Sequence, residues 1–196
     1  GYHPNPATPG GPNSPPKPAN VVINELMYHH APIVALGGTQ WPSGEEWVEL
    51  HNIGDTPVDL SGWSLVDAVE FQFPQDTILP GGDFLVVAKD ADVLETNFPE
   101  IQVIGDLKGK LSNSGERLAL LDACGDLVDE VRYADGGRWP NWADGGGSSL
   151  ELRDPLADNS STEAWGASVE SDAAVWETFV FSEILSPSLV GSDGRW

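Results

Sequence analysis

Histidine and cysteine side chains are the groups in this sequence that could support nucleophilic catalysis. Four histidines lie in a proline-rich start, at the head of a long loop and at the end of a predicted strand: His3, His29, His30 and His51. Such catalysis needs a base beside a nucleophile and a third group that orients the base, and no histidine here lies in such a sequence context. Cys124 lies close to Asp122 and Asp126, whose negative charges disfavour the reactive thiolate. The pattern predicts a protein without catalytic residues.

Oxygen-bearing side chains are far more numerous, and their loops could hold a cation. Calcium takes roughly six to eight oxygen ligands, often from Asp, Asn and backbone carbonyls. The loop at 154–160 is rich in such oxygens, and it predicts one weak structural calcium site with Asp154, Asp158 and Asn159 as ligands. The alternative interpretation is a solvated turn, in which each Asp side chain bonds its own backbone.

Tryptophan is also in surplus, with eight residues in the chain. Trp41, Trp139 and Trp142 lie in predicted loops rich in glycine and proline, whereas Trp47 and Trp63 lie in predicted strands and are expected in the core. An exposed indole beside hydrogen-bonding side chains can stack on a sugar ring, so the three loop residues are candidate ligand-binding residues. The alternative is that their rings fold back over the ends of the domain.

The chain is strongly acidic, because 9 basic residues against 31 acidic ones give a net charge of −22. Binding to nucleic acid or to an anionic membrane requires lysine and arginine near the phosphates, so neither partner is expected. The simplest interpretation of the charge is solubility in a cation-rich medium. The sequence has no apolar run of roughly 18 residues, the length that spans a bilayer, and one cysteine cannot form an internal disulfide.

The apolar pattern predicts an all-β fold of about eight or nine short antiparallel strands, with turn residues between them. The predicted strands lie at 21–28, 47–52, 58–60, 63–73, 84–89, 102–105, 117–122, 127–133 and 148–153. One helix of about two turns is expected between Asp90, which can cap its amides, and Pro99. Strict alternation along 21–28 would place Ile23, Glu25 and Met27 on one face, and 127–133 should alternate in the same way.

Three regions differ in composition. Residues 1–20 carry seven prolines and predict an extended linker. Residues 21–168 hold the strand pattern and are expected to form one β-sandwich domain. Residues 169–196 include FVFSEIL at 179–185, which is expected either to pair along a sandwich edge or to begin a following domain. Together with the start at Gly1, the linker favours a module of a longer protein.

Five segments occur in an order that resembles a known family. They are INELMY (23–28), EWVELHN (46–52), DLSGWSL (59–65), LPGGDFLVVAKD (79–90) and LSNSGERLALLDACGDLVDEV (111–131). In this order they resemble the lamin-tail domain, an immunoglobulin-like module that ends nuclear lamins and also occurs in exported bacterial proteins. SSLELRDP (148–155) is similar to the closing strand of the bacterial members.

The resemblance implies an immunoglobulin-like β-sandwich with one short helix, used for attachment or recognition and lacking catalytic residues. It also implies that Trp63 packs in the core and that Gly62 and Gly115 permit turns. The link of some animal members to DNA is not expected to transfer to a chain with a charge of −22.

The predicted function is therefore a non-enzymatic interaction or spacer module of a larger secreted or cell-surface bacterial protein. Its expected partner is a protein or a polysaccharide surface, and it is expected to be a monomer without membrane insertion. The alternative is a carbohydrate- or calcium-dependent binding module that accompanies an enzyme domain. No cofactor is required, and calcium is the one candidate ion. Exposed, coplanar loop tryptophans would favour the alternative, and buried ones would favour the first interpretation.

Overall fold

The computed structural model describes residues 20–30 and 46–168, together with four two-residue strands at 2–3, 17–18, 33–34 and 40–41. The strands, numbered in chain order, are β1 Tyr2–His3, β2 Lys17–Pro18, β3 Val21–Met27, β4 Ile33–Val34, β5 Gln40–Trp41, β6 Trp47–Asn52, β7 Val58–Asp59, β8 Ser64–Asp67, β9 Val69–Gln72, β10 Ile78–Leu79, β11 Phe84–Ala88, β12 Val103–Ile104, β13 Lys108–Gly109, β14 Gly115–Leu121, β15 Leu127–Ala134, β16 Leu150–Leu152 and β17 Trp165–Ala167. The α-helix, α1, spans Ala91–Asn97. The segment FVFSEIL lies outside the described residues.

Two sheets form a sandwich. The six-stranded sheet has the order β12-β11-β6-β3-β16-β17, and the five-stranded sheet has the order β13-β9-β8-β14-β15. All described pairings are antiparallel except that of β11 with β12, which is parallel because α1 lies between these two strands and returns the chain in the same direction. The predicted class, an all-β immunoglobulin-like sandwich with one short helix, is confirmed.

The main core lies between the two sheets and consists of apolar side chains on their facing sides. Ile23, Leu50 and Leu85 of the six-stranded sheet are fully buried, as are Leu118 and Val131 of the five-stranded sheet. Trp63 is half-buried and packs against this core, in agreement with its expected place. Gly62 and Gly115 both adopt positive φ, the left-handed conformation that favours glycine.

The helix begins where the sequence predicts. The Asp90 carboxylate accepts a hydrogen bond from the backbone N of Val93 at 3.1 Å, which satisfies one of the free amides of the first turn. Leu94 packs against Val86 and Ala88 in a second, smaller apolar cluster. Trp47 packs against this second cluster and not against the main core, so α1 covers part of the outer face of the six-stranded sheet.

The expected single strand at 63–73 is wrong. The chain forms a hairpin there, in which β8 and β9 pair with Ser64 opposite Gln72 and Leu65 opposite Phe71. Asp67 adopts a φ of 74° at the reversal, a conformation that aspartate tolerates better than most residues. The apolar run continues through the turn because both arms contribute to the core, so the sequence pattern conceals the break.

Strict alternation along β3 and β15 is also wrong, because each strand contains an irregularity. The pairing of β3 with β6 shifts between Ile23 and Glu25, and this bulge leaves Ile23 facing the core while Glu25 faces outward. Near the bulge, Asp129 of β15 accepts a hydrogen bond from the backbone N of Ile23 at 2.7 Å. This bond ties the two sheets together, and burial raises the pKa of the Asp129 carboxyl.

The buried side chain of Asn52 organises the loops at the end of β6. Its Nδ2 lies 3.0 Å from the Leu79 carbonyl oxygen and 2.9 Å from that of Pro80, and 2.9 Å from that of Thr56. Its Oδ1 accepts a hydrogen bond from the backbone N of Gly54 at 3.1 Å. One amide therefore holds together residues 53–56 and 79–80.

We expect Asn52→Ala to lower the free energy of unfolding by about 2–4 kcal/mol, because it leaves buried backbone groups in both loops without a partner. Urea unfolding followed by tryptophan fluorescence measures this change. Asn141→Ala is the matched control, since Asn141 is exposed, and it should change stability by less than about 0.5 kcal/mol. Equal effects of the two substitutions would contradict the role of Asn52.

Candidate functional site

The tryptophan loop, residues 135–147, connects β15 to β16 and carries two of the three candidate tryptophans. Pro140 precedes a single 3-10 turn at Asn141–Ala143. Trp139, before the turn, is half-buried and packs against the main core. Its ring centroid lies 6.4 Å from that of buried Trp165, with an angle of 43° between the planes. Trp139 therefore closes one end of the sandwich.

Trp142 points the other way and is 57% exposed. Its carbonyl oxygen accepts a hydrogen bond from the backbone N of Gly146 at 3.0 Å. A Cβ atom at Gly146 would lie 2.7 Å from Cε3 of the indole, so only glycine lets the ring lie this close to the backbone. The indole thus rests against its own loop and presents its remaining surface to solvent.

A hydrogen bond between two side chains anchors the tryptophan loop to the residue pair that follows β3. The Nδ1 atom of His29 lies 2.6 Å from Oδ1 of Asp144, and both side chains are about one-third exposed. The backbone N of Gly145 also donates to the His29 carbonyl oxygen at 3.0 Å. Two contacts of different kinds therefore fix the position from which Trp142 projects.

Trp139 and Trp142 do not form one coplanar platform. Trp139 precedes the short turn and packs against the core, whereas Trp142 lies within the turn and faces solvent. Trp41 lies in β5, which pairs with β4, and its side chain lies outside the described residues. The arrangement therefore combines a buried indole with an exposed one.

The predicted calcium ligands belong to two separate turns. Asp154 Oδ1 accepts a hydrogen bond from the backbone N of Leu156 at 2.9 Å, and Asp158 Oδ1 accepts one from Ser160 Oγ at 2.7 Å. The Ser160 hydroxyl and backbone lower the pKa of the exposed Asp158 carboxyl. Asn159 turns away from both aspartates. Each aspartate therefore bonds its own turn, and calcium binding stays a prediction.

The side chain of Asn159, which lies in a loop, has a partner on β15. Its Nδ2 donates to Oδ2 of Asp129 at 2.7 Å, and its carbonyl oxygen accepts from Nε1 of Trp165 at 2.9 Å. Across the part of the chain that the structure describes, there is no group of three or more His, Cys, Asp or Glu side chains placed to hold a metal ion. Asn159 thus fastens the loop to the sandwich.

The His29–Asp144 pair has the form of an oriented base but lacks an activated nucleophile beside it. Tyr28 is the adjacent hydroxyl, and burial, with a smaller contribution from the charges of Asp144 and Asp135, raises its pKa to about 12. Cys124 is exposed in the hairpin between β14 and β15. The described residues thus contain no arrangement that matches the requirements of nucleophilic catalysis.

A row of three glutamates crosses the outer face of the six-stranded sheet, and sequence reasoning missed it. Glu25 lies opposite Glu49 on one side and opposite Glu151 on the other. Glu49 accepts a hydrogen bond from Nδ2 of Asn24 at 2.8 Å, and Glu25 accepts one from the hydroxyl of Ser149. The sequence signal for this row is that the three strands share the dipeptide Glu-Leu. Whether the three glutamates align depends on the register in which the strands pair.

Burial dominates the electrostatics of the glutamate row. Desolvation has the largest effect and raises the pKa of Glu25 to about 7. The Ser149 hydrogen bond comes next and opposes the rise, and the negative charges of Glu49 and Glu151 add to it. Desolvation also raises the pKa of Glu49. The sheet therefore holds a carboxyl group that titrates near neutral pH.

Comparison with protein families matches residues 14–135 of the chain to the lamin tail domain. The match covers more than half of the chain. The chain belongs to the lamin tail domain family. No curated protein matches the chain closely enough to be reported as a relative.

As a lamin tail domain, the chain is an immunoglobulin-like module of a non-enzymatic family. The matched segment ends with Asp135, at the start of the tryptophan loop, yet β16 and β17 beyond it complete the six-stranded sheet. Trp139 and Trp142 are thus outside the part that defines the family. Among the described residues, no helix is long and apolar enough to cross a membrane.

In this lamin tail domain we expect stability to fall as the pH rises through the titration of Glu25. A carboxyl group with a raised pKa stays protonated in the folded chain between about pH 4.5 and 7, whereas the unfolded chain has released that proton. The folded state therefore loses up to about 3 kcal/mol relative to the unfolded state across this window. Glu25→Gln removes the titrating proton and keeps an acceptor for Ser149.

Urea unfolding of the chain and of Glu25→Gln at pH 5 and pH 8 tests this expectation. The stability advantage of Glu25→Gln should grow from pH 5 to pH 8. Glu100→Gln is the control at an exposed position. Its free energy of unfolding should differ from that of the parent chain by the same amount at both pH values. An advantage of Glu25→Gln that does not change with pH would contradict the raised pKa.

Proposed function

We propose that the chain is a non-enzymatic interaction module of a secreted or cell-surface bacterial protein, and that the tryptophan loop is its recognition surface. The observation that carries the proposal is Trp142, a large aromatic side chain that is 57% exposed on a loop held at several points. Its proposed partner is a protein. The absence of a catalytic arrangement in the described residues and the non-enzymatic family both support this class of function.

Rigidity makes Trp142 suited to recognition. A side chain that is already held in place loses little conformational entropy on binding, and tryptophan is among the residues that contribute most to binding energy at protein interfaces. The His29–Asp144 contact and the Gly146 hydrogen bond supply that preorganisation. If the Trp142 indole served only to cover the core, we would expect it to pack against the core, as the half-buried Trp139 does.

Charge narrows the choice of partner. A net charge of −22 repels nucleic acid and anionic membranes and attracts partners with basic surfaces. We infer association that weakens at high ionic strength. The same surface charge disfavours self-association, which supports a monomeric module.

The second candidate function is carbohydrate binding, and the open surface of the Trp142 indole favours it. Sugar rings stack on such faces while neighbouring polar groups bond their hydroxyls. Within the tryptophan loop, Arg138 immediately precedes Trp139 and forms an exposed ion pair with Glu163 at 2.5 Å. Both candidate functions, protein binding and carbohydrate binding, therefore use the tryptophan loop, and an experiment can distinguish them.

We expect Trp142→Ala to reduce retention of the chain on its partner by about tenfold or more, because it removes the exposed anchor and leaves the core intact. Retention is measured on a panel of immobilised polysaccharides (cellulose, chitin, xylan and peptidoglycan) and extracellular proteins (collagen and fibronectin). Ile101→Ala is the control, since Ile101 is an apolar side chain with 39% exposure at another site.

The outcome distinguishes the candidates. Retention on a protein that Trp142→Ala abolishes supports the main proposal, and the same result on a polysaccharide supports carbohydrate binding. Retention that Trp142→Ala and Ile101→Ala reduce equally, or no retention on any surface, argues against recognition through the tryptophan loop.

Calcium remains part of the proposal as an optional ligand of Asp154, Asp158 and Asn159. Its support is that two exposed carboxylates lie four residues apart in an oxygen-rich loop. A bound ion would stabilise the folded chain by mass action, so calcium should raise the melting temperature relative to chelator, and Asp158→Ala should remove the increase. An unchanged melting temperature together with no heat in a calorimetric titration would remove calcium from the proposal.

A further inference from the structure

A pocket of about 410 Å³ lies at the end of β6, away from the tryptophan loop. Its lining residues come from three segments of the chain: His51, Ile53, Gly54, Asp55, Gly81, Gly82, Pro155 and Leu156. The family match includes the first two segments but ends before the third. The pocket therefore depends on the sandwich being completed by the chain after the tryptophan loop.

The walls of the pocket are held in place by Asn52. Its side-chain hydrogen bonds join the loop that carries Gly54 and Asp55 to the carbonyls of residues 79–80. The backbone N of Gly82 also donates to the Asn52 carbonyl oxygen at 2.9 Å. A Cβ atom at Gly81 would lie 2.4 Å from the carbonyl carbon of Asp55, so the two loops are in direct backbone contact. The cavity is thus preformed.

Two titratable side chains belong to the polar part of the lining. Asp55 is exposed and carries a carboxylate. Burial lowers the pKa of the His51 imidazole. Its Nδ1 atom is buried and has no hydrogen-bond partner among the described residues. A buried polar atom without a partner costs free energy that a bound ligand can recover.

Apolar side chains form another part of the lining. Leu156 is 79% exposed and stands beside Pro155 at the rim. Beside the pocket, and outside its lining, the ring of Phe84 stacks on the imidazole of His51 with centroids 4.1 Å apart and 17° between the planes. An alkyl chain can pack against Leu156 while its polar end reaches the acceptors.

We propose that this pocket binds an arginine side chain of a protein partner. Arginine has an aliphatic stem that packs on apolar surface and a planar guanidinium with five N–H donors. Those donors complement the carboxylate of Asp55 and the buried, unpartnered Nδ1 of His51, and the planar cation suits the aromatic Phe84–His51 pair beside the pocket. The net charge of −22 attracts basic partners. The inference deepens the proposed function, on which it rests, by naming a chemical class of partner.

Titration of the full-length chain with N-acetyl-arginine-N-methylamide, followed by ¹H–¹⁵N NMR, tests the proposal. We expect saturable shifts of the amide signals of Gly54, Gly81, Gly82 and Leu156. The corresponding citrulline derivative has nearly the same shape but no charge, and its affinity should be about fivefold lower. Asp55→Asn should weaken binding of the arginine derivative by a similar factor.

Two controls separate the pocket from general attraction to an acidic chain. Glu95→Gln removes the same unit of charge from an exposed position on α1 and should leave the affinity unchanged. His51→Phe keeps an aromatic ring against Phe84 but removes the acceptor, so it should weaken binding. Unchanged chemical shifts of the core-strand amides will show that each variant is folded.

The proposal is overturned if the amide shifts spread over the acidic surface, if citrulline binds equally well, or if Glu95→Gln weakens binding as much as Asp55→Asn. Trp142→Ala must leave this titration unchanged, because the tryptophan loop lies at the other end of the sandwich. A negative titration alongside retention that depends on Trp142 would reject the pocket and keep the proposed function. Saturable binding without such retention would keep the pocket and reject the tryptophan loop.

Discussion

The hydrogen bonds of the buried Asn52 side chain are the constraint on which one whole end of the molecule depends. Asn52 is the last residue of β6, which lies in the middle of the six-stranded sheet. Beyond this point its side-chain amide forms hydrogen bonds to two loops in place of regular strand pairing. Buried backbone groups must find partners, and irregular loops cannot supply them to one another as strands do. Asn52 meets that need, and the pocket formed by these loops is a consequence of it.

The two ends of the sandwich are built on different principles. At the end of β3, the partly exposed His29–Asp144 pair holds the tryptophan loop, which projects a large aromatic side chain into solvent. At the end of β6, a buried amide fixes glycine-rich loops that leave a cavity. A rigid sheet sandwich that presents loops at its two ends is the arrangement by which immunoglobulin-like modules carry recognition.

Between these ends, the row of three glutamates on the outer face of the six-stranded sheet is electrostatically costly. Three glutamates in register repel one another, and partial burial deprives them of water. Hydrogen bonds from Asn24 and Ser149 offset only part of that cost. Folded stability is thereby coupled to pH near neutrality.

Local chemistry in the sequence determined a large part of the fold. The runs of apolar residues locate most strands, Asp90 locates the start of α1, and the order of the motifs indicates the family. These features depend on interactions over a few residues, which a linear pattern records directly. The charge of −22 likewise follows from composition alone and limits the classes of partner.

Tertiary structure alone decided the features that carry function. The bulge before Glu25, the reversal at Asp67 and the alignment of the glutamates depend on strand register, which is set by packing between distant strands. The opposite orientations of Trp139 and Trp142 follow from which indole finds space beside Trp165. The pocket joins residues about one hundred positions apart, from His51 to Leu156. No local pattern could reveal it, because it exists only once Asn52 has brought the loops together.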